Sequence, residues 1–292
     1  MSEKAASAED WREERNRFLA GLLRGGAGAL IFGLPMMMTM ELWALGFTIA
    51  PIRLLISAIA TIPLLFVLAQ RMGFERTFTW REALRDAIIA YAIGILASAA
   101  LLVLLGILKL AMPADEWVGK IAIQAIPASI GAMLGRSQLG AEKGSEEDEP
   151  DDDGENAGDQ VTTSYPTELF MMAVGALFLS LNVAPTEEII LISYKMTQWH
   201  TLITIFVSIT LMHGFVYALA FRGGHELSPD TPQWHAFVRF TMPGYVVAIL
   251  ISLYVLWVFG RLDDTAWTQI LMTTIVLALP ASIGAAAARL IL

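Results

Sequence analysis

Residues 28–46 read GALIFGLPMMMTMELWALG, and residues 175–193 read GALFLSLNVAPTEEIILIS. A constant shift of 147 pairs Gly28 with Gly175, Thr39 with Thr186, and Glu41 with Glu188. Further on, a shift of 154 matches Trp80 with Trp234, Arg85 with Arg239, Tyr91 with Tyr245, Ser98 with Ser252 and Gly106 with Gly260. The hexapeptide PASIGA then recurs at 127–132 and 280–285, with Arg136 and Arg289 four residues beyond. Three collinear matches with small changes of shift indicate internal duplication, and both copies are apolar. Internal symmetry of this kind builds many transport folds.

Composition places the chain in a membrane. It is 56% hydrophobic and 16% charged, with a mean hydropathy of +0.60, whereas soluble domains carry about 25% charged residues. The net charge of −9 comes from one segment. Residues 142–159 hold ten of the 28 acids and one of the 19 bases, which leaves 18 of each elsewhere. With no cysteine, disulfides, thiolate catalysis and cysteine metal sites are excluded. No metalloprotease, Walker, dinucleotide or nucleophile-elbow motif occurs, no cofactor is implied, and nothing points to nucleic acid.

A spanning helix needs about 20 mostly apolar residues. About eight such stretches are present, near 24–46, 50–70, 84–110, 118–137, 168–193, 201–222, 236–260 and 267–290. The expected fold is therefore all-α and polytopic. Residues 1–23 form an N-terminal amphipathic segment, read as a short surface helix capped by Ser7. Residues 24–137 form a first membrane repeat, 138–167 an acidic linker and 168–292 a second repeat. The linker has almost no large apolar side chain, so it is expected to lack a core of its own.

Arginines Arg12, Arg15, Arg17 and Arg24 precede the first span, and Arg71, Arg76, Arg81 and Arg85 lie between the second and third. Alternate loops are poorer, with Arg53, then Lys109 and Lys120, then Lys195, then Arg261. The excess of positive charge puts both termini and the linker in the cytoplasm. An even number of spans per half makes the repeats parallel, with a pseudo-twofold along the membrane normal.

Glu41, Glu187 and Glu188 are carboxylates in apolar sequence. Counted along one helix from Arg24, Glu41 sits about 25 Å into the span, inside a hydrocarbon core of about 30 Å. Intramembrane charges usually face a bundle interior or a wet cavity and mark ion or proton paths. An outer-interface carboxylate that reaches water is the plainer alternative. Pro35 and Pro185 would break the helices and free backbone carbonyls. With Asn182, Thr39 and Thr186 they would supply hard oxygen ligands for a small cation, with Glu41, Glu187 and Glu188 as the candidate metal ligands, or for protons.

His213 is the one histidine inside a span, a candidate proton relay or a simple interhelical hydrogen-bonder. Met36 and Met40, one turn apart, could hold Cu(I), although methionine is routinely a gap-filler. Gly131 with Gly135, and Gly284 with Ala288, have the small-residue spacing of close helix packing. The fourth and eighth spans should therefore be the packing core. Trp80 and Trp234 read as interface anchors, and Lys195 as a base that snorkels outward beside Tyr194 and Trp199.

The span number, the acidic central loop and residues 180–188 (SLNVAPTEE) resemble a bacterial family of integral membrane proteins of unknown function with an NxAPTEE-type motif. The resemblance covers most of residues 20–290 and implies the bacterial inner membrane without supplying an activity. Residues 182–187 are also similar in chemistry to cation/Ca²⁺ antiporter motifs, whose inverted five-helix repeats this chain lacks. The reading that follows is a channel or secondary transporter for a small cation or protons, in contact with the lipid bilayer, with a homo-oligomer left open. A non-transporting sensor, scaffold or assembly factor is the alternative, and a lipid-acting membrane enzyme the third.

Overall fold

The computed structural model describes residues 2–72, 79–109, 111–138, 165–220 and 237–291. Most of the acidic linker and Trp234 lie outside the described residues. Every regular element described is helical. Seven helices are long and apolar enough to cross a membrane among the described residues. The contacts divide the chain into two units, residues 1–154 and 155–292.

The first unit contains α1 (Ser2–Met37), α2 (Met40–Thr48), α3 (Pro51–Met72), α4 (Trp80–Leu104) and α5 (Ala114–Gln138). α1 runs unbroken from Ser2, so Ser7 lies within the helix and does not cap it. The first candidate span is Phe18–Met37. It ends before Glu41, because the chain breaks at Met38–Thr39 and a separate nine-residue helix begins. The continuous 24–46 span expected from hydropathy is thus two helices. Hydropathy cannot register a break whose residues are themselves apolar.

α5 is the centre of this unit, with α1, α2, α3 and α4 all packed on it. α1 crosses it at very short range. A Cβ on Gly28 would lie 2.3 Å from the Gly131 carbonyl oxygen and 2.6 Å from the Gly135 Cα, so only hydrogen fits there. Met36, Met37, Leu42, Leu65, Leu68, Leu102, Ile123 and Ile130 fill the interior.

The second unit contains α6 (Tyr165–Val183), α7 (Glu187–Lys195), α8 (Gln198–Ala220), a π-turn (Phe237–Thr241), α9 (Met242–Val258) and α10 (Trp267–Ile291). Here α10 is central and packs against α6, α7, α8 and α9. A Cβ on Gly175 would come within 2.1 Å of the Gly284 carbonyl oxygen and 2.5 Å of the Ala288 Cβ. α8 has 23 mostly apolar residues and stands beside the seven spans counted among the described residues.

Each unit carries large apolar side chains on its outside, among them Ile31, Leu96 and Leu104 in the first and Trp199, Phe206 and Leu271 in the second. In water such a surface would drive aggregation. In lipid it needs no compensation. Buried hydroxyls are mostly satisfied within their own helix, as with Thr61 on the Ser57 carbonyl and Ser129 on the Ile126 carbonyl. That is the arrangement a span requires, since lipid offers no partner.

Candidate functional site

The candidate residues gather at the two helix breaks, one in each unit. In the first unit, Thr39 has extended backbone (φ −83°, ψ 126°). Its hydroxyl donates to the Met36 carbonyl at 2.7 Å, and its amide donates to the same oxygen at 3.1 Å. In the second unit, Thr186 is also extended (φ −75°, ψ 147°). Its hydroxyl and amide donate to the Val183 carbonyl at 2.9 and 3.1 Å. The threonine hydroxyl hydrogens therefore satisfy carbonyls at the ends of α1 and α6. Their oxygen lone pairs are what they could still offer a ligand.

The helix after each break has nine residues, and each ends in the same way. The Ile49 amide donates to the Leu45 carbonyl at 2.8 Å, and the Met196 amide to the Ile192 carbonyl at 3.0 Å. Glu41 and Glu187–Glu188 fall in the first turn of their helices. A carboxylate is favoured there by the helix dipole. Glu41 is half-buried, while Glu187 and Glu188 are exposed. The two prolines differ in place. Pro185 is buried within its break, whereas Pro35 is exposed inside α1, two residues before that helix ends.

One side chain at a break does not stand out in the sequence. Arg261, expected as a plain loop base, sits in the turn after α9 and reaches the break between α6 and α7. Its Nη1 donates to Glu187 Oε1 at 2.6 Å, and its Nη2 donates to the Pro185 carbonyl oxygen. The arginine side chain is 14% exposed and the glutamate 72%. A guanidinium thus holds the carbonyl and carboxylate that a small cation was expected to use. In the first unit the positions matching Glu187 and Arg261 are Met40 and Ile107, an apolar pair.

The remaining candidates separate. The Asn182 amide donates to the Phe178 carbonyl at 3.0 Å, so its nitrogen is engaged with its own helix. His213 Nδ1 lies 3.0 Å from the Thr241 hydroxyl, and its ring meets Phe237 edge-on at 5.3 Å. Met36 is buried while Met40 is 62% exposed beyond the break. The break puts the two thioethers in different surroundings, and the Cu(I) pairing does not form. Lys195 ends α7 and is exposed beside exposed Tyr194 and Trp199. Within each unit, among the described residues, no three His, Asp or Glu side chains cluster to hold a metal ion.

A second polar group was also missed, on α5. Lys120, counted among the loop bases although it falls two residues inside the expected 118–137 span, lies within α5, which begins at Ala114. Its residue exposure is 4%. Its ammonium donates to Glu116 and lies 5.5 Å from the centre of the Trp43 ring.

The family model described as "Putative integral membrane protein (DUF2391)" matches residues 21–292. The chain belongs to this family. Membership covers both units and agrees with their lipid-compatible exteriors; the family's description names no activity. No curated protein and no solved structure matches the chain.

Proposed function

We propose that this protein is a channel or secondary transporter for a small cation or protons. In this reading it is built as two parallel four-span repeats in the bacterial inner membrane, with both termini and the acidic linker cytoplasmic. The observation that carries it is the pair of helix breaks. Each is bounded by an extended threonine and followed by a first-turn glutamate in apolar sequence. Broken spans with exposed backbone and a carboxylate are how membrane transporters present ligands to ions.

Support for the repeat comes from matched details. Gly106 and Gly260 both have φ of +70° and end α4 and α9. α5 and α10 both contain 25 residues. The close approach of Gly28 to Gly131 and Gly135 has its counterpart in Gly175 against Gly284 and Ala288. α8, at the position matching α3, would be the eighth span.

The Arg261 clamp favours a second reading, a non-transporting scaffold or assembly factor. A break already held by an internal guanidinium needs no ion to be stable. Purified protein in proteoliposomes, screened for H⁺, Na⁺, K⁺, Mg²⁺ and Ca²⁺ flux, separates the two. Movement of any of these above empty liposomes supports transport. Silence across the whole screen selects the scaffold.

A further inference from the structure

Gln124 is wholly buried in α5, and neither its amide nitrogen nor its amide oxygen has a hydrogen-bond partner among the described residues. A primary amide can make up to four hydrogen bonds. Burying one with none is costly anywhere and more so in lipid, where no solvent relieves it. Such a side chain calls for a bound partner.

Its surroundings say which kind. Gln124 is one helical turn beyond Lys120, which is one turn beyond Glu116, so the three form a stripe along α5. A Cβ on Gly46 would lie 2.6 Å from the Lys120 Cα, which fixes α2 against α5 at that level. A Cβ on Gly33 would meet Ala128 at 3.4 Å, which fixes α1 one turn past Gln124. Gln124 therefore lies between these two contacts, on the stretch of α5 alongside the break at Met38–Thr39. The Lys120–Glu116 pair above it is enclosed, with side chains 5% and 18% exposed.

The second unit has the same stripe with other chemistry. The matching residues are Gln269, Thr273 and Leu277. Gln269 donates to the Ser193 hydroxyl at 2.6 Å, Thr273 donates to it at 2.9 Å, and Leu277 is buried apolar. That stripe is neutral and satisfies itself. Its break is held by Arg261. Among the described residues, only the first unit combines an enclosed ion pair, an orphaned amide and a break without an arginine clamp.

The geometry points to a proton path through the first unit, with Glu116 and Lys120 as exchangeable groups and Gln124 holding water beside the α1–α2 break. This rests on the transport reading and deepens it by naming the proton as substrate. The Lys120 ammonium already holds the Glu116 carboxylate, so a metal cation would have to displace it to use that ligand. It does not obstruct protons, which can be handed between an ammonium–carboxylate pair and water. Water suits the amide because it can accept from the nitrogen and donate to the oxygen.

The experiment compares wild type with Gln124→Leu and with Glu116→Gln/Lys120→Thr, each importing what the second unit carries at the same positions. Gln124→Met, nearly equal in volume, guards against a folding artefact, and Leu104→Ala on the exterior is the control. All are reconstituted as monodisperse protein at equal density, with proton flux read by an entrapped pH dye and Na⁺, K⁺, Mg²⁺ and Ca²⁺ by tracer uptake. The expected result is proton flux alone in wild type and Leu104→Ala, reduced about tenfold or more in the Gln124 and paired variants. Metal-ion flux without proton flux overturns the proton path while leaving transport standing. So does undiminished proton flux in a folded Gln124→Leu or Gln124→Met protein. If nothing moves in wild type, the transport reading itself fails.

Discussion

Arg261 donates to Glu187 at 2.6 Å across 74 residues of sequence, and the same guanidinium also holds the Pro185 carbonyl. The chain thereby ties the turn after α9 to the break between α6 and α7. Glu187 is mostly exposed, so the ion pair alone contributes little. The hydrogen bond to a carbonyl freed by a helix break is the larger part, because that oxygen would otherwise lack a donor.

Arg261→Ala should accordingly destabilise the protein by about 2 kcal/mol, in line with hydrogen bonds from charged groups. Glu187→Gln should cost less than about 1 kcal/mol, the range of exposed pairs. Thermal unfolding in one detergent gives the order directly. Equal losses in the two variants would mean that the carboxylate, not the carbonyl, is what Arg261 serves.

Gly175→Val should be far more damaging than its single added side chain implies. The new Cβ would press on the Gly284 backbone, which can yield only if α6 and α10 separate, at a cost of about 3 kcal/mol or more. Gly214→Ala is the comparison, since nothing lies within 4 Å of a Cβ placed there. Size-exclusion profiles and unfolding temperatures should show the first variant impaired and the second near wild type. Similar behaviour in both would refute tight packing at Gly175.

The absence of cysteine allows a clean test of sidedness. A single Ser145→Cys change places one thiol in the acidic linker. A membrane-impermeant maleimide should label it in inverted inner-membrane vesicles and not in right-side-out spheroplasts, as the arginine distribution requires. Labelling only from the outside would invert the topology.

The membrane class was legible because its signals are local, and Pro185 lies in the second break, whereas Pro35 stays inside α1 and the first break falls at Met38–Thr39. Runs of apolar residues give spans, and in the second unit proline near threonine and glutamate gives a break. Small residues four apart mark α5 and α10 as packing helices. Arg261 was not legible because its partners lie 74 and 76 residues away, and an arginine after a span reads as a loop base. A trace of it was present all the same. Under the two repeat shifts, Glu187 and Arg261 correspond to Met40 and Ile107, so both members of the pair change together between halves. Lys120 was misplaced for a different reason. A lysine at the start of an apolar run reads as a loop base, and its enclosure depends on α2, whose Trp43 only the fold brings to it.

The carboxylates themselves can be tested one by one. Glu41 is half-buried and Glu188 exposed, each in the first turn after its break. If these groups attract the permeating ion, Glu41→Gln and Glu188→Gln remove charge while keeping shape, and each should lower flux about tenfold or more without loss of folded protein. Glu187→Gln should matter less, because that carboxylate is already engaged by Arg261 and its matching position in the first unit is Met40. Leu191→Ala, an exposed apolar position one turn beyond Glu187, serves as the control. The informative pattern is loss at Glu41 and Glu188 with retention at Leu191. Flux at the wild-type level in both glutamine variants would remove the carboxylates from the pathway and leave them as helix-start charges that favour α2 and α7.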